Sequence, residues 1–308
     1  MKTDRIVQYI ENNYGIKVAD YKVVPRLMFR ESLRIKSNEC QYVVKKYPLA
    51  TDSACLADMV ELYAELERCG VTTNKVLRSE AGAPVFELPD GKYVIFTFVP
   101  GVTVNAGMVN ELLFQTISEI HGRTKNILWK ETKLPDDSTE SSFVPSYAWD
   151  EIDDLTERVN GSVQLLQKID QEYDRAFRNR EQIIVHGDCT LNNIVVSNGS
   201  FYLIDFDNYR LGFPEEDFAN LLNSILYSTA DSEVKSEAMQ SARSYFHGIE
   251  NSDEFVYKVK LCMQKNASRE LYKHKENYRY LRRTPGTVQY LQRLLDIIYR
   301  VEESDFIL

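Results

Sequence analysis

In part of the first hundred positions, hydrophobic and polar residues alternate with the two-residue period of a strand. In most of the rest of the chain, they repeat with the longer period of a helix. Residues 1–14 have the amphipathic pattern of a helix that ends near Gly15. The positions that follow alternate as strands do, with short polar connections between the runs. The pattern therefore predicts three antiparallel strands at Tyr21–Leu27, Leu33–Lys36 and Gln41–Tyr47.

One more helix and three more strands are predicted before residue 100. Between residues 53 and 69 the apolar positions have helical spacing and define a face of Leu56, Val60, Tyr63 and Leu66. Short apolar runs at residues 76–77, 85–88 and 92–99 indicate strands. The last run stops at Pro100-Gly101, a pair that ends regular structure. We interpret this break as a boundary between two domains, residues 1–99 and residues 100–308; the alternative is a buried central strand that ends in an ordinary turn.

The second part of the chain has the helical period over most of its length. One predicted helix buries the face Val109, Leu112, Leu113, Thr116 and Ile120, and His121 closes it in a packing or hydrogen-bonding role. A second carries the stripe Ile152, Leu155, Val159, Leu166 and Ile169. After a break at Pro285-Gly286, a last stripe comprises Leu291, Leu294, Leu295, Ile298 and Val301. Strands followed by helices predict an α+β chain.

Composition excludes several classes of function. The net charge of −9 disfavours nucleic acid as a partner. The five cysteines are scattered and contain no Cys-x-x-Cys, which argues against a disulfide framework or a zinc site and for a reducing compartment. The first residues do not form a signal peptide, and the apolar runs are too short to cross a bilayer. We expect a cytoplasmic protein with no membrane partner; the pattern gives no indication of the oligomeric state.

Charge is distributed unevenly along the chain. Acidic residues dominate residues 131–157, whereas residues 258–283 are rich in Lys and Arg. Runs of this kind are most often solvated helix faces, and acids in a first helical turn also favour the helix dipole. The acidic segment would suit a substrate that bears an amine, and the basic segment would suit an anionic one. The two indications conflict.

Residues 183–207 combine strand patterns with three unexplained polar side chains. Apolar runs at residues 183–185, 194–197 and 201–204 predict three strands, the last two joined by a turn at Asn198-Gly199. Asp188, Asn193 and Asp205 remain. Singly, they fit a turn former, a cap and a strand-end polar residue. Together, they are the set that magnesium-dependent phosphoryl transfer uses.

The motif that contains these residues resembles a known superfamily. His186-Gly187-Asp188, followed by Asn193 and then by Ile204-Asp205-Phe206-Asp207, is similar to the motif of the aminoglycoside phosphotransferases and choline kinases, which are relatives of the protein kinases. The resemblance implies a bilobal protein-kinase-like fold, with a small antiparallel-sheet N-lobe at residues 1–99 and a mostly helical C-lobe at residues 100–308. The segment after Asp205 also resembles the spore-coat kinase-like branch.

The resemblance also implies roles for the residues of the motif. Asp188 would orient the acceptor hydroxyl and accept its proton, and Asn193 and Asp205 would hold Mg²⁺ against the phosphates. His186 and Asp217 would support the loop, with Asp217 bracing it from behind. Asp207 is left with two alternatives, since it could assist the metal or substrate or only satisfy the loop.

Nucleotide contacts are implied in the first domain. Strand alternation places Lys45 and Lys46 on opposite faces, and the resemblance of Val43-Val44-Lys45 selects Lys45 for the phosphates of ATP. Backbone groups of Thr97 and Val99 would contact adenine. The superfamily pairs its lysine with a glutamate of the next helix, but the usual spacing arrives at Met59. Glu61 is then the nearest candidate and Glu65 the next.

These observations predict an ATP-dependent phosphotransferase, with GTP as the alternative donor and a hydroxyl of an aminoglycoside-, choline- or sugar-like molecule as acceptor. A second hypothesis is an inactive kinase-like protein that binds nucleotide or serves as a spore-coat-type structural component. A protein kinase is disfavoured because the connection Arg30-Glu31-Ser32 contains no glycine and the chain lacks an Ala-Pro-Glu segment.

Overall fold

A computed structural model describes residues 3–25, 31–127, 163–228, 230–278 and 285–300. The described chain divides into two compact units. The first is drawn from Met1–Val102, Ile127–Asp136 and Ser197–Asp207, and the second from Thr103–Asn126, Asp137–Val196 and Asn208–Leu308. Ser197–Asp207, which the sequence interpretation assigns to the second domain, thus clusters with the first unit. The division at residue 99 stays a prediction.

The first unit is built on a five-stranded antiparallel sheet. Its elements are α1 (Thr3–Tyr14), β1 (Asp20–Pro25), β2 (Glu31–Lys36), β3 (Gln41–Tyr47), α2 (Ser53–Arg68), β4 (Val85–Leu88) and β5 (Gly91–Thr97), with the strands in the order β1-β2-β3-β5-β4. The three strands predicted before residue 48 are confirmed. The predicted strand at residues 76–77 is a single bridge from Val76 to Phe96.

Helix α1 closes one face of this sheet. Ile6 and Ile10 pack into a fully buried cluster with Leu33 and Ile35 of β2. The Tyr9 ring stacks on Phe86 with centroids 4.4 Å apart, and Phe86 stacks on Tyr93 at 5.1 Å; these rings extend the core. The amphipathic pattern of the first residues is explained by this packing.

The second unit is mostly helical. It contains α3 (Glu111–Thr124), α4 (Val163–Phe177), α5 (Pro214–Tyr227), α6 (Ser232–His247), α7 (Ser252–Tyr278) and α8 (Pro285–Arg300). Two short strands, β7 (Ile183–Val185) and β10 (Arg210–Gly212), pair antiparallel. The chain also forms β6 (Val102–Thr103) and the hairpin of β8 (Ile194–Ser197) and β9 (Ser200–Leu203), which turns at Asn198-Gly199 as predicted.

The predicted buried face of α3 is confirmed at Leu113 and Ile120, and Val109 before the helix is also buried, but the prediction is wrong for Leu112. Leu112 is 47% exposed, whereas the buried residues are Leu113, Phe114, Ile117, Ile120 and His121. Successive helical residues point about 100° apart, so burying Phe114 and Ile117 in place of Leu112 and Thr116 rotates the centre of the buried stripe while Leu113 and Ile120 stay within it. Phe114 packs here against Phe218 of α5 and Phe246 of α6, and these aromatic rings fix the rotation of α3.

The later helical predictions are confirmed where the structure describes them. Leu166 and Ile169 are buried in α4, and Leu294, Leu295 and Ile298 are buried in α8. Outside the described residues lie the predicted start of the second long helix, the acidic segment 131–157, Arg30, the Leu291 side chain and Val301. Glu31 and Ser32, which were predicted to connect two strands, instead belong to β2. No helix in the described ranges combines the length and apolar composition that crossing a membrane requires.

Candidate active site

The loop that follows β7 begins with a glycine that no other residue could replace without strain. Gly187 has φ +77°, in the left-handed region that favours glycine. A Cβ atom at this position would also lie 2.0 Å from the backbone oxygen of Asn208. The backbone therefore turns sharply and closely between His186 and Asp188.

A buried aspartate of α5 holds this loop. Asp217 accepts hydrogen bonds from the backbone N–H groups of His186 at 2.8 Å and Gly187 at 2.9 Å, and its Oδ2 lies 2.9 Å from Nε2 of His121. Burial alone raises the pKa of this carboxyl, but the hydrogen bond and charge of His121 and the contribution of His186 outweigh burial and lower the pKa below its ordinary value of 3.8. Asp217 therefore stays ionised.

Asp188 and Asn193 are locked together within the same loop. The Asn193 amide nitrogen donates to the backbone oxygen and to Oδ2 of Asp188, both at 2.9 Å. The Asp188 N–H donates to Nδ1 of His186 at 3.2 Å, which requires that nitrogen to be unprotonated. Because the Asn193 nitrogen is engaged, its amide oxygen is the atom available to a cation.

Two further side chains fix the carbonyl of Gly187, and the sequence interpretation did not identify them. Nη1 of Arg210 and Nδ2 of Asn220 each donate to this oxygen at 3.3 Å. Arg210 is itself ion-paired with the buried Glu216. The spacing of three between Asp217 and Asn220, which puts both on one face of α5, was a usable signal for Asn220.

In the first unit, Lys45 is buried against two carboxylates. Its Nζ lies 2.5 Å from Oδ1 of Asp205 and 2.7 Å from Oδ1 of Asp207. Tyr47 donates its hydroxyl to Oδ2 of Asp207 at 3.1 Å, and burial, followed by the charge of Asp207, raises the pKa of Tyr47 well above its ordinary value. We call Lys45, Tyr47, Asp205 and Asp207 the lysine cluster. Lys46 points away and pairs with Asp90.

The backbone around Asp205 is held by polar groups that periodicity did not reveal. Asp205 has φ +69°, and its N–H donates to Oδ1 of Asn74. The next N–H, that of Phe206, donates to the Tyr63 hydroxyl at 3.0 Å. Thr73 donates its hydroxyl to the Leu203 carbonyl at 2.6 Å. These contacts from α2 and the segment after it fix the direction of the Asp205 side chain.

The predicted partner of Lys45 on α2 is wrong. Glu61 is exposed, and no ion pair joins Lys45 to an acid of α2 among the described residues. Glu65 pairs instead with Arg68. The helical period explains this, because the buried face passes through Met59 and Tyr63, and Glu61 lies roughly 200° from Met59.

The two residues expected to contact adenine lie at and beyond the end of β5. The Thr97 N–H donates to the Lys75 carbonyl, and the Thr97 hydroxyl accepts from the Lys75 N–H, both at 2.8 Å. Val99 is half-buried, two residues past the last residue of the strand. With these Thr97 groups engaged, a contact with a base at this residue would need its carbonyl. The adenine contacts stay a prediction.

The donor atoms of these residues fit magnesium. Carboxylate and amide oxygens, such as those of Asp205, Asp207 and Asn193, are the hard ligands that Mg²⁺ prefers. The lysine cluster carries two carboxylates against one ammonium and so has an excess negative charge. Within the described residues, no three His, Cys, Asp or Glu side chains are grouped as a metal site. The convergence of Asp188, Asn193 and Asp205 stays a prediction.

Comparison with protein families decides the classification. The model of the phosphotransferase enzyme family matches residues 27–246, more than two thirds of the chain. The chain belongs to this family. The match spans the lysine cluster and the whole His186–Asn193 loop. Comparison with the sequences of curated proteins gives no match.

Solved structures with the same fold include other phosphotransferases. The amicoumacin kinase hAmiN, in complex with AMP-PNP, Ca²⁺ and Ami, superposes with a TM-score of 0.68 at 15% identity over 97% of this chain and 93% of that one. Choline kinase LicA from Streptococcus pneumoniae gives 0.64 at 14% identity over 96% and 98%. A thermostable mutant of the aminoglycoside phosphotransferase APH(4)-Ia, in a ternary complex with ADP and hygromycin B, gives 0.66 at 13% over 97% and 99%. The predicted α+β, kinase-like fold is confirmed.

Proposed function

We propose that this member of the phosphotransferase family transfers the γ-phosphoryl group of ATP to a hydroxyl of a small molecule. The observation that carries the proposal is the His186–Asn193 loop. Its Asp188 carboxylate is fixed by Asn193, and its backbone is fixed by the buried, ionised Asp217. A loop held so tightly, with a half-buried carboxylate at its turn, suits the precise orientation of an acceptor.

Asp188 is the group that we assign to the acceptor. It would receive a hydrogen bond from the acceptor hydroxyl, orient it towards the phosphorus and accept its proton. Such a positioned base contributes about 10²–10⁴ in rate. A loose transition state requires little base strength, so a carboxylate is an adequate base here.

Asn193 and Asp205 are the residues that would hold Mg²⁺. Bound there, the ion would neutralise charge on the phosphates. Lys45 would meet the phosphates with its ammonium group, and Thr97 and Val99 would contact the base. ATP is the donor that we favour, and GTP is the alternative. His186 ties the loop through its Nδ1 contact with Asp188.

An amine-bearing acceptor is the class that we favour. Lys258 pairs with Glu254, and Lys265 lies 3.7 Å from Asp170, so the described part of the basic segment is partly neutralised. The argument for an anionic substrate is thereby weakened, while the net charge of −9 still favours a cation. Choline-like and aminoglycoside-like alcohols carry amines, and neutral sugars serve as the contrast.

One observation favours the second candidate, a non-catalytic nucleotide-binding or structural protein. Helix α2 presents Met59 instead of an acid to the residues around Lys45. Slow ATP hydrolysis in water without an added acceptor separates the candidates, because an active site transfers to water when the hydroxyl is missing. A protein that binds MgATP but does not hydrolyse it at all supports the second candidate.

The test combines nucleotide binding with turnover. MgATP should raise the melting temperature of the wild type, since ligand at a hundredfold excess over Kd stabilises by about 2.7 kcal/mol. Asp205→Asn should lose most of this shift. Asp188→Asn should keep the shift and lose turnover by about 10² or more. Glu61→Gln, at an exposed carboxylate, is the control.

A wild type whose melting temperature MgATP leaves unchanged contradicts the nucleotide claim. If Asp188→Asn instead turns over like the wild type, the assignment of the base is wrong. A panel of amino alcohols, aminoglycosides and neutral sugars, with ADP release as the readout, then identifies the acceptor.

A further inference from the structure

We propose that Asp207 positions Lys45 for the nucleotide phosphates, in place of an acid on α2, and that Tyr47 holds Asp207 in turn. The inference rests on the proposed function, since it assigns a role to Lys45 at the phosphates. It makes Asp207 a positioning residue, which acts through Lys45.

The first step is that Lys45 needs a fixed counter-charge. The residue is only 5% exposed, in the middle of a sheet. An ammonium group buried to this degree is retained only if it is paired, and its direction follows the partner. The Phe96 ring lies 4.7 Å from Nζ and contributes a cation–π contact, but an aromatic ring supplies no net charge.

The second step is that α2 does not supply this charge. The residues that α2 directs towards the lysine cluster are Met59, whose sulfur lies 3.4 Å from the Tyr47 hydroxyl, and Tyr63, whose hydroxyl accepts from the Phe206 N–H. Both are buried. Glu61 lies on the solvent side.

The third step is that Asp207 is itself fixed in position and can therefore fix Lys45. Its side chain is 6% exposed, and its two oxygens have separate partners: Oδ1 receives Lys45 and Oδ2 receives the Tyr47 hydroxyl. Lys45 and Tyr47 are two residues apart on β3 and therefore share a face of the strand. Two residues of the same strand, β3, thus fix the two oxygens of Asp207.

The fourth step concerns the division of labour between the two aspartates. Asp205 has a more exposed side chain, at 16%, and is the residue that we assign to Mg²⁺. When Asp205 turns to a cation, Lys45 would lose one of its two carboxylates. Asp207 would then remain as its counter-charge and keep the ammonium group in place while it meets the phosphates.

The experiment restores an acid where the helix lacks one. Four proteins are compared: wild type, Asp207→Asn, Met59→Glu and the double variant. Equilibrium binding of a fluorescent ATP analogue and ATP hydrolysis at saturating Mg²⁺ are measured, and thermal melts without nucleotide verify folding. Glu61→Gln is the matched control, an α2 acid that faces solvent.

We expect Asp207→Asn to lower kcat/KM for ATP and analogue affinity by about tenfold or more, because one partner of a buried charge pair is removed. The double variant should recover most of both losses, since Met59→Glu returns a carboxylate to the lysine cluster. Glu61→Gln should behave as wild type. If Asp207→Asn fails to fold, Tyr47→Phe replaces it, and a severalfold loss in the same two measurements is expected.

Two results overturn the inference while the proposed function stands. One is a folded Asp207→Asn with wild-type analogue affinity and an altered Mg²⁺ requirement only, which would make Asp207 a metal ligand. The other is a folded double variant with no recovery, which would show that position 207 does not replace a helix acid. A wild type that binds no nucleotide overturns the proposed function itself and the inference with it.

Discussion

Asp217→Asn removes one charge from a buried site and leaves the size of the side chain almost unchanged. The carboxylate is 1% exposed and receives three donors: the N–H groups of His186 and Gly187 and the Nε2 atom of His121. An amide offers one accepting oxygen in place of two. Its NH₂ group must therefore face at least one of these donors.

The expected cost follows from counting the donors left without an acceptor. If the amide oxygen faces His186 and His121, the Gly187 N–H has no acceptor. If the oxygen faces Gly187, the donors of His186 and His121 have none. Each buried donor without an acceptor costs about 1–3 kcal/mol. Asp217→Asn should therefore reduce the free energy of unfolding by about 2–5 kcal/mol, a range that also fits the loss of one partner from a buried ion pair.

Urea denaturation at a series of pH values measures this cost and its origin. The pKa of Asp217 is lower in the folded protein than its ordinary value of 3.8. Its ionisation therefore contributes stability that is complete above 3.8 and is lost as the pH falls through the lower, folded value. The difference in stability between wild type and Asp217→Asn should therefore shrink as the pH falls below 3.8.

Turnover provides a second readout, because a loop that loses its anchor misplaces Asp188. We expect the kcat of Asp217→Asn to fall at a temperature where the variant is folded. A cost below about 0.5 kcal/mol, the level of ordinary surface substitutions, would refute the reasoning. A difference that does not change with pH would show that packing, and not the charge, is responsible.

Two further changes test neighbouring parts of the structure. Gly187→Ala should reduce turnover and lower the free energy of unfolding by about 1–3 kcal/mol, because a non-glycine residue held at this positive φ is strained by about that amount. An active variant that is as stable as the wild type would contradict the turn geometry. Arg180→Met leaves the buried Glu215 carboxylate, whose partner lies at 2.6 Å, without its cation. Arg180→Met should lower the free energy of unfolding, measured by urea denaturation, by about 3–5 kcal/mol, and adding Glu215→Gln should recover much of this loss. If Arg180→Met and the double variant are equally stable, the ion pair is contradicted.

The local elements of the fold could be predicted from the sequence because local patterns determine them. Strand alternation was sufficient for β3 and for the opposite orientations of Lys45 and Lys46, and the Asn198-Gly199 turn marked the hairpin after Asn193. The rotation of α3 could not be predicted in the same way. It depends on Phe114 packing against rings about a hundred residues later in the chain, and no local pattern contains that information.

In the candidate site, too, the local contacts could be predicted from the sequence and the contacts between distant residues could not. The spacing of Asp188 and Asn193 is local, and their mutual hydrogen bonds follow from the loop that contains both. The partner of Lys45 is not local, because Asp207 lies 162 positions further along the chain. Glu61 was chosen as the acid nearest to Met59, where the usual spacing of the superfamily arrives, but a helix can present only one face to the sheet, and that face carries Met59.

The position of α1 has a consequence for synthesis on the ribosome. Ile6 and Ile10 emerge before the strands that they pack against, and Tyr9 can stack only when Phe86 has been made. At about 5–20 residues per second, Tyr9 waits on the order of 4–15 s for Phe86, although β2, which packs against Ile6 and Ile10, is made earlier. During that interval the side of α1 that carries Tyr9 is an exposed apolar surface on the nascent chain. Slowing translation before β4 and β5 should therefore lengthen the time in which a chaperone can bind this surface.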